Sequence, residues 1–213
     1  MNITKFGHCC LLIKINGKTI LTDPGNYSDA QDSVTGIDIV LITHEHGDHC
    51  HTDSIKKVIA NNPGAMVVCN SAVGKILDGL GISYTIIEGN ATSEVAGIAF
   101  EACDGMHEEI FEEMGQVQNT GYLVNNDFYI PGDSFHVPEF AVKTLALPVA
   151  GPWCKFPDAL RYAIALKPER AFPIHDAMIK EGSLGFLYTA TKNVLGQHGI
   201  EFIPLNAGDS AEF

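Results

Sequence analysis

The chain has 213 residues, 46% of them hydrophobic and 18% charged, which is typical of a single folded domain over residues 1–213 and not of a disordered segment. The formal net charge of −13 disfavours nucleic acid as a partner, because an acidic surface repels phosphate backbones. No apolar run approaches the roughly 18 residues of a membrane-spanning helix, and no signal peptide is recognisable, so we expect a cytoplasmic protein without a membrane partner.

The elements predicted along the chain are short strands at first and strand–helix alternation later. Alternating or β-branched apolar runs predict strands over 2–6, 9–15, 18–22, 37–43, 65–69, 83–88, 94–102, 120–124, 128–131, 144–149, 171–174 and 200–204. Apolar residues at helical spacing predict helices over 52–61, 71–78, 157–166 and 184–197. The pairs Asn16-Gly17 and Asn125-Asn126 are typical of hairpin turns.

Two residues mark expected helix ends. Thr52 is expected to cap the helix over 52–61, and Gly79 is expected to end the helix over 71–78. Each half of the chain therefore combines strands with one or two covering helices. This pattern favours an α/β fold of the αββα sandwich type, in which two mixed β-sheets pack face to face and are flanked by helices, although other α/β layouts stay open.

Four potential metal ligands follow the buried strand over 37–43 and precede a helix: His44, His46, Asp48 and His49. If the loop bends, His44 and His46 can converge on one ion while Asp48 and His49 turn to a second. Four of the nine histidines of the chain fall between positions 44 and 51. A solvated polar loop would show such a cluster only by chance, so a metal site is the favoured interpretation.

Three further candidate ligands occur where other predicted strands end, namely His107, Asp133 and His175. Side chains from distant segments can meet at one sheet edge when each follows a strand. A lone histidine at such a place is more often structural. Together with the first cluster, the three residues favour a site that contains two metal ions.

The roles of five other residues stay open from sequence alone. For Asp23, a hydrogen bond to a ligand histidine and a plain turn aspartate are equally supported. His8 can line the pocket or be structural, and His136 can contact substrate or be a loop residue without a role. For Trp153, ordinary packing is favoured over a wall of the pocket, and for Lys155 a solvated side chain is favoured over an anion contact.

The order and spacing of the candidate ligands resemble those of a known family. The pattern H-x-H-x-D-H at 44–49 resembles the signature of the metallo-β-lactamase superfamily, and His107, Asp133 and His175 match its remaining ligand motifs in order. The segments F-G-H at 6–8 and L-T-D-P at 21–24 resemble the opening of its ascorbate-6-phosphate lactonase-like branch. The resemblance covers nearly the whole chain and implies the αββα fold.

The resemblance also implies a specific metal centre. One divalent ion would be held by His44, His46 and His107, a second by Asp48, His49 and His175, and both by a bridging Asp133. Zinc is the expected metal, with manganese, iron or nickel as alternatives. A water or hydroxide between the two ions would be the nucleophile, and Asp48 would be a ligand that can also act catalytically by moving protons.

The function expected from this centre is hydrolysis of a small-molecule ester, lactone or phosphodiester. One alternative is a di-iron redox protein of the same fold, which is disfavoured because flavodiiron relatives have a carboxylate where this chain has His46. The other alternative is a non-catalytic metal-binding module. Homo-oligomers are common among similar proteins, so a homo-oligomer stays open as an alternative to a monomer, and the sequence does not set the number of subunits.

Overall fold

The computed structural model describes residues 1–213, which form fourteen strands and four helices. The strands are β1 (Asn2–Gly7), β2 (Cys10–Ile15), β3 (Lys18–Thr22), β4 (Ile39–Leu41), β5 (Met66–Cys69), β6 (Thr85–Ile86), β7 (Thr92–Val95), β8 (Ile98–Met106), β9 (Gln118–Val124), β10 (Phe128–Ile130), β11 (Thr144–Pro148), β12 (Arg170–Ile174), β13 (Glu201–Phe202) and β14 (Ser210–Glu212). The helices are α1 (Thr52–Asn61), α2 (Ser71–Leu80), α3 (Phe156–Leu166) and α4 (Glu181–Gln197). Short 3-10 turns occupy Ala30–Ser33 and Glu112–Met114.

The strands form two seven-stranded sheets, each antiparallel at one side and parallel at the other. The first sheet has the order β14-β1-β2-β3-β4-β5-β6, with parallel pairing from β3 onward. The second has the order β13-β12-β11-β10-β9-β8-β7, with antiparallel pairing from β10 to β7. Both sheets are therefore mixed, as predicted.

The interior between the sheets is a cluster of 22 buried hydrophobic residues from both of them. Ile13 and Leu41 contribute from the first sheet, and Phe100 and Phe172 from the second. Removing one such side chain from water contributes about 1.5–3 kcal/mol. The shared apolar interior is what packs the two sheets face to face.

The outer face of each sheet is covered by two helices. Ile55 of α1 and Leu77 of α2 are buried in a cluster with Val40 of the first sheet. Tyr162 of α3 and Leu195 of α4 are buried in a separate cluster that includes β11 and β12 residues of the second sheet. The layers are thus helix, sheet, sheet and helix, which confirms the αββα prediction. No helix combines the length and the apolar character that crossing a bilayer requires.

Several strands differ from prediction: the segment 37–43 is a strand only over Ile39–Leu41, and two further differences have a physical cause. The segment 94–102 is not one strand, because Ala96 and Gly97 both adopt left-handed backbone conformations (φ 53° and 82°) and form the turn between β7 and β8. Alanine seldom adopts positive φ, so only Gly97 marks this turn in the sequence, and the prediction did not use it. The strand β14 was not predicted either, since Ser210–Glu212 is short and polar, but it pairs with β1 at the sheet edge.

Two helix ends also differ from prediction. The cap position of α1 is His51, whose backbone is still extended, and Thr52 is the first helical residue. Helix α2 continues past Gly79 because Leu80 still packs against the outer core, and it ends at Gly81, which is left-handed with φ 68°. The predicted turns at Asn16-Gly17 and Asn125-Asn126 are confirmed, with positive φ at all four residues.

Candidate metal centre

The candidate ligands lie in loops that directly follow strands of both sheets. The segment His44–His49 follows β4, His107 follows β8, Asp133 follows β10 and His175 follows β12. An isolated bridge between His44 and Asn119 joins the ligand loop of the first sheet to β9 of the second. The two packed sheets therefore present all of these side chains at one end of the sandwich.

The first group consists of His44, His46 and His107, whose candidate ligand atoms all lie within 4.8 Å of one another. The Nδ1 atom of His107 is 2.5 Å from the carbonyl oxygen of Glu108, so Nδ1 is the protonated nitrogen and Nε2 is available to a ligand. His44 is fully buried, and its Nδ1 is 3.1 Å from the hydroxyl of Thr43. These contacts direct the Nε2 atoms of His44 and His107 inward.

The second group consists of Asp48, His49, Asp133 and His175, again with candidate ligand atoms within 4.8 Å of one another. The Nδ1 atom of His175 is 2.5 Å from the carbonyl oxygen of Ala150, which fixes its proton there. Its Nε2 lies 3.5 Å from Oδ2 of Asp48. The second group therefore offers two imidazole nitrogens and two carboxylates.

Asp133 lies between the two groups. Its Oδ2 is 3.2 Å from Nε2 of His107, in the first group, and 2.9 Å from Nε2 of His175, in the second. Its Oδ1 is 3.1 Å from Nε2 of His49. One buried carboxylate thus contacts both groups, which is the position that a bridging ligand requires.

Several buried polar atoms of this cluster have no hydrogen-bond partner. They are Nε2 of His44, His49 and His175, and Oδ1 of Asp133; His49 and His175 approach the Asp133 carboxylate closely but are not aligned for a hydrogen bond. An unpaired buried polar atom costs about 1–3 kcal/mol, so such atoms are rare unless something else binds them. Imidazole nitrogens and carboxylate oxygens are donors that suit zinc and other divalent transition metals. The residues present therefore fit two metal ions.

The charge balance of the cluster also fits cation binding. Burial lowers the pKa of His44 well below its ordinary value, which keeps the ring neutral. Burial acts in the same direction on His49 and His175, but the carboxylate of Asp133 outweighs it and raises the pKa of both. Burial would raise the pKa of Asp133, yet the same two histidines hold it well below its usual range. A metal ion that binds here would replace protons on those histidines.

A comparison with protein-family profiles shows which family the chain belongs to. A family profile described as "Beta-lactamase superfamily domain" matches residues 2–175. The chain belongs to this superfamily. The recognition made from the ligand motifs is therefore confirmed at the level of the superfamily.

Relatives and solved structures of the superfamily cover nearly all of the chain. Protein Rv0786c of Mycobacterium tuberculosis is 32% identical over 193 residues, which are 88% of this chain and 90% of that protein. A UPF0173 metal-dependent hydrolase of Methanopyrus kandleri is 29% identical and covers 82% of this chain and 84% of its own. Igni18, a metallo hydrolase of Ignicoccus hospitalis, has the same fold with a TM-score of 0.77 at 20% identity, over 100% of this chain and 98% of its own. These three do not single out the lactonase-like branch, which stays a prediction.

In this superfamily member, Asp23 contacts the candidate ligand His49 at the ring nitrogen that faces away from the proposed metal. Its fully buried carboxylate accepts hydrogen bonds from the backbone N–H of Thr43 (2.8 Å) and from the Thr43 hydroxyl (3.0 Å). Its Oδ2 is also 2.9 Å from Nδ1 of His49. This hydrogen bond to a candidate ligand histidine is one of the two alternatives left open by the sequence, and it leaves Nε2 of His49 free for a metal ion.

His8 lies on the other side of the second group. Its Nδ1 accepts a hydrogen bond from the backbone N–H of Ala177 (3.3 Å), so the proton is on Nε2, which donates to Oδ2 of Asp48 at 3.2 Å. Burial lowers the pKa of His8 to about 4, and the ring is neutral near pH 7. His8 therefore orients Asp48. Its neighbour Cys9, to which sequence reasoning gave no role, is buried with its sulfur close to His49 and His175.

A buried ion pair supports the segment that holds His175. Lys5 is completely buried in β1 and donates to the Asp176 carboxylate and to the carbonyl oxygens of Pro173 (2.9 Å) and Leu205 (3.2 Å). The Tyr188 hydroxyl donates to the same carboxylate. Sequence reasoning missed this cluster, although the alternation of β1 places Lys5 on the inward face together with Ile3.

A cavity of about 290 Å³ opens onto the two groups. Trp153 lines it, and its indole Nε1 donates a hydrogen bond of 2.9 Å to Oδ2 of Asp133. The expectation that packing alone explains Trp153 was therefore wrong, because the residue is both packed and in contact with the cluster. Lys155, two residues further on, is exposed and does not line the cavity.

The structure does not bring His136 to this cavity. Its backbone N–H is bonded to the Ser134 hydroxyl at 3.1 Å, and its exposed ring lines a different cavity together with Glu101 and Glu139. The turn after Asp133 directs the chain away from the cluster. His136 therefore does not line the cavity above the ligand groups, and its role as a substrate contact stays an untested prediction.

Proposed function

We propose that this superfamily member is a metal-dependent hydrolase that binds two divalent ions, zinc being favoured, and acts on a small molecule. His44, His46 and His107 would hold one ion, Asp48, His49 and His175 the other, and Asp133 both. Ions held in this way polarise the bond to be cleaved and lower the pKa of a water molecule between them. The name metal-dependent hydrolase given to the relative from Methanopyrus kandleri supports the same activity.

The observation that carries the proposal is the set of buried, unpaired donor atoms around Asp133. Three imidazole nitrogens and one carboxylate oxygen have no hydrogen-bond partner although they are buried. Nε2 of His49 and Nε2 of His175 lie 3.1 Å and 2.9 Å from oxygens of Asp133 without the alignment of a hydrogen bond, whereas a purely structural cluster would align such atoms or pair them with backbone groups. Asp133 and His175 also line the cavity, so a substrate has access to whatever these residues bind.

Asp48 is the residue that we assign to proton transfer. It is the more exposed carboxylate of the cluster, with 22% of its side chain accessible against 2% for Asp133, and it lines the cavity. Burial would raise the pKa of Asp48, but the hydrogen bonds with His175 and His8 hold it below its usual range. An ionised carboxylate at the cavity wall can accept a proton from water and return it to a leaving group.

The proposal is tested by metal content and by turnover in the same preparations. Protein loaded with zinc or with manganese is assayed with a lactone, a thioester and a phosphodiester, and its metal is counted by elemental analysis. We expect close to two equivalents of metal and hydrolysis that a chelator abolishes. His46→Ala should lose metal and turnover together, because it removes a ligand that faces the cavity.

The matched control is His51→Ala. This histidine belongs to the same histidine-rich segment but contacts Ser54 at the start of α1, 3.1 Å away, and is in neither candidate ligand group. It should keep both metal and turnover. A folded protein with less than one equivalent of metal would overturn the two-ion site. Oxidation of an electron donor by iron-loaded protein, without any hydrolysis, would favour the redox alternative.

A further inference from the structure

The walls of the cavity, apart from the candidate metal ligands, contain no charged side chain. They are formed by Asn26, Tyr27, Gly47, Ile110, Pro152, Trp153 and Met178. Ile110, Pro152, Trp153 and Met178 give these walls their apolar surface, Tyr27 adds an aromatic ring, and Asn26 supplies the one carboxamide. A substrate that enters therefore meets hydrophobic, aromatic and uncharged polar groups, and charged side chains only among the candidate ligands.

The cationic groups nearest in sequence do not reach the cavity. Lys155 and Lys180 each follow a wall residue by two positions, but both are exposed and neither is among the lining residues. Proteins that bind phosphate groups commonly contact them with arginine, lysine or a helix N-terminus. None of the wall residues offers a cationic side chain to an anionic group.

The approach to the cavity is acidic. Ile110 comes from a segment in which Glu109, Glu112 and Glu113 are all exposed. The chain as a whole has a formal net charge of −13. Exposed carboxylates of one sign repel an anion and leave an uncharged molecule unaffected. The acidic surroundings, like the uncharged walls, therefore disfavour the binding of an anionic substrate.

The size of the cavity limits what the apolar walls can enclose. Its volume of about 290 Å³ is at the lower end of the range for small-molecule sites. Tyr27 and Met178 are 47% and 57% exposed, so each retains apolar surface that a ligand can cover. Burying apolar surface contributes about 25 cal/mol per Å² to the free energy of binding. A short hydrocarbon group on the substrate would therefore strengthen its binding.

We infer that this site selects uncharged acyl compounds, that is esters, lactones or thioesters with a short apolar acyl group, over phosphoesters and other anionic substrates. The inference rests on the proposed function, and it narrows the substrate class of the same site. The reacting carbonyl would lie over the ligand cluster, with the acyl group against Tyr27, Ile110, Trp153 and Met178. Cleavage adds the elements of water across the acyl bond and releases a carboxylic acid with an alcohol or a thiol.

The kinetic test compares two esters of different charge after the spontaneous hydrolysis of each is subtracted, because the carboxylate of the succinate ester accelerates its own cleavage. Zinc-loaded protein is assayed with p-nitrophenyl butyrate and with mono-p-nitrophenyl succinate, which share a leaving group and differ by one carboxylate at the far end of a similar acyl chain. We expect kcat/KM to be at least tenfold higher for the butyrate. Bis-p-nitrophenyl phosphate serves as the phosphodiester and is expected to be a poor substrate relative to its uncatalysed rate.

A variant pair tests whether the cavity wall sets this preference. Met178→Arg places a cation at the wall and should narrow the preference for butyrate over succinate several-fold. Met66→Arg is the matched control, because Met66 is also exposed (43%) but does not line the cavity. The control should leave the preference unchanged. An unchanged preference in Met178→Arg, or an equal change in both variants, would contradict the inference.

A binding measurement gives a readout that does not depend on turnover. The chain has a single tryptophan, Trp153, and it lines the cavity, so its fluorescence reports on ligands there. Zinc-loaded protein is titrated with hexanamide, an uncharged acyl compound that resists hydrolysis, and with diethyl phosphate. We expect a saturable change with hexanamide at lower concentration than with diethyl phosphate.

The two levels of proposal fail in different ways. Metal-dependent cleavage of the phosphodiester, together with tighter binding of diethyl phosphate than of hexanamide, would overturn the acyl preference and leave the hydrolase proposal intact. Absence of turnover with every substrate, in protein that contains its metal, would overturn the hydrolase proposal. The relative affinities for hexanamide and diethyl phosphate would then still show whether the cavity prefers an uncharged or an anionic ligand.

Discussion

The indole Nε1 of Trp153 donates a hydrogen bond of 2.9 Å to Oδ2 of Asp133, the carboxylate that contacts both candidate ligand groups. Trp153 is 9% exposed and belongs to the apolar cluster beneath α3 and α4. The packing of its ring therefore fixes the direction of its donor. Through this hydrogen bond, the packing of α3 and α4 on the second sheet helps to position Asp133.

Trp153→Phe should weaken metal binding without unfolding the protein. The variant keeps an aromatic ring in the cluster but removes the donor to Asp133, and loss of such an outer contact typically lowers metal affinity about 10–100-fold. The zinc Kd is measured by competition with a chelator. Phe140→Leu, at a partly buried ring that packs against the same apolar cluster and contacts Tyr129, should retain the parent Kd. Equal affinities for all three proteins would show that the indole N–H has no part in holding Asp133.

Asp23→Ala should lower zinc affinity through His49. The buried carboxylate orients the imidazole of His49 at 2.9 Å and also binds Thr43, which precedes the first ligand. We expect the zinc Kd to rise about 10–100-fold. Loss of the hydrogen bonds should also lower the free energy of unfolding by about 1–3 kcal/mol. The control is Asp29→Ala, which removes an exposed carboxylate that makes no capping hydrogen bond. If Asp23→Ala has the same zinc Kd as this control, Asp23 does not orient His49.

Lys5→Met should strongly destabilise the fold. The substitution keeps a long side chain but leaves the Asp176 carboxylate buried without its cation, which typically costs about 3–5 kcal/mol. Urea unfolding of metal-free protein measures the loss. Lys5→Met combined with Asp176→Asn should recover part of it, since the uncompensated charge is gone. A double variant no more stable than the single one would mean that packing, and not the buried charge, sets the cost.

The candidate ligands could be predicted from sequence because each is a chemically distinctive residue placed directly after a strand. Such a pattern survives errors of a few residues in the strand bounds, and those errors did occur at 37–43 and 94–102. The supporting contacts could not be predicted in this way. Trp153 contacts Asp133, and Lys5 contacts Asp176 next to His175, only because residues distant in sequence pack together. Neither has a local signal beyond the inward position of Lys5 in β1.

His136 is a candidate that the structure places away from the ligand groups. Its position two residues after Ser134 resembles that of a site residue, and proximity in sequence to Asp133 made it a candidate. The direction of a side chain in a loop depends on backbone turns that periodicity does not describe. The turn closed by the Ser134 hydroxyl places the ring of His136 in another cavity. A position directly after a strand is therefore a better guide to the residues of this site than closeness in sequence to a known candidate ligand.

Glu88→Gln should destabilise the protein near neutral pH and lose that effect in acid. Glu88 accepts hydrogen bonds of 2.8 Å from the backbone N–H of Ser71, the first residue of α2, and from the side chain of Gln118. The first contact above all lowers the pKa of Glu88 below its usual value. A lowered pKa in the folded state means that the ionised group stabilises the fold above the unfolded pKa of about 4.3, and that this contribution disappears as the pH falls through the folded pKa.

Urea unfolding of metal-free protein from pH 7 down to acid conditions measures this dependence. Glu88→Gln should be less stable than the parent by about 1 kcal/mol at pH 7, because a neutral amide is a weaker acceptor at a helix N-terminus than a carboxylate. The difference should shrink once Glu88 of the parent is protonated. Glu94→Gln, at an exposed position in β7, controls for the loss of one negative charge and should show no such pH dependence. A stability difference between parent and Glu88→Gln that stays constant with pH would show that Glu88 acts on α2 through its shape and not through its charge.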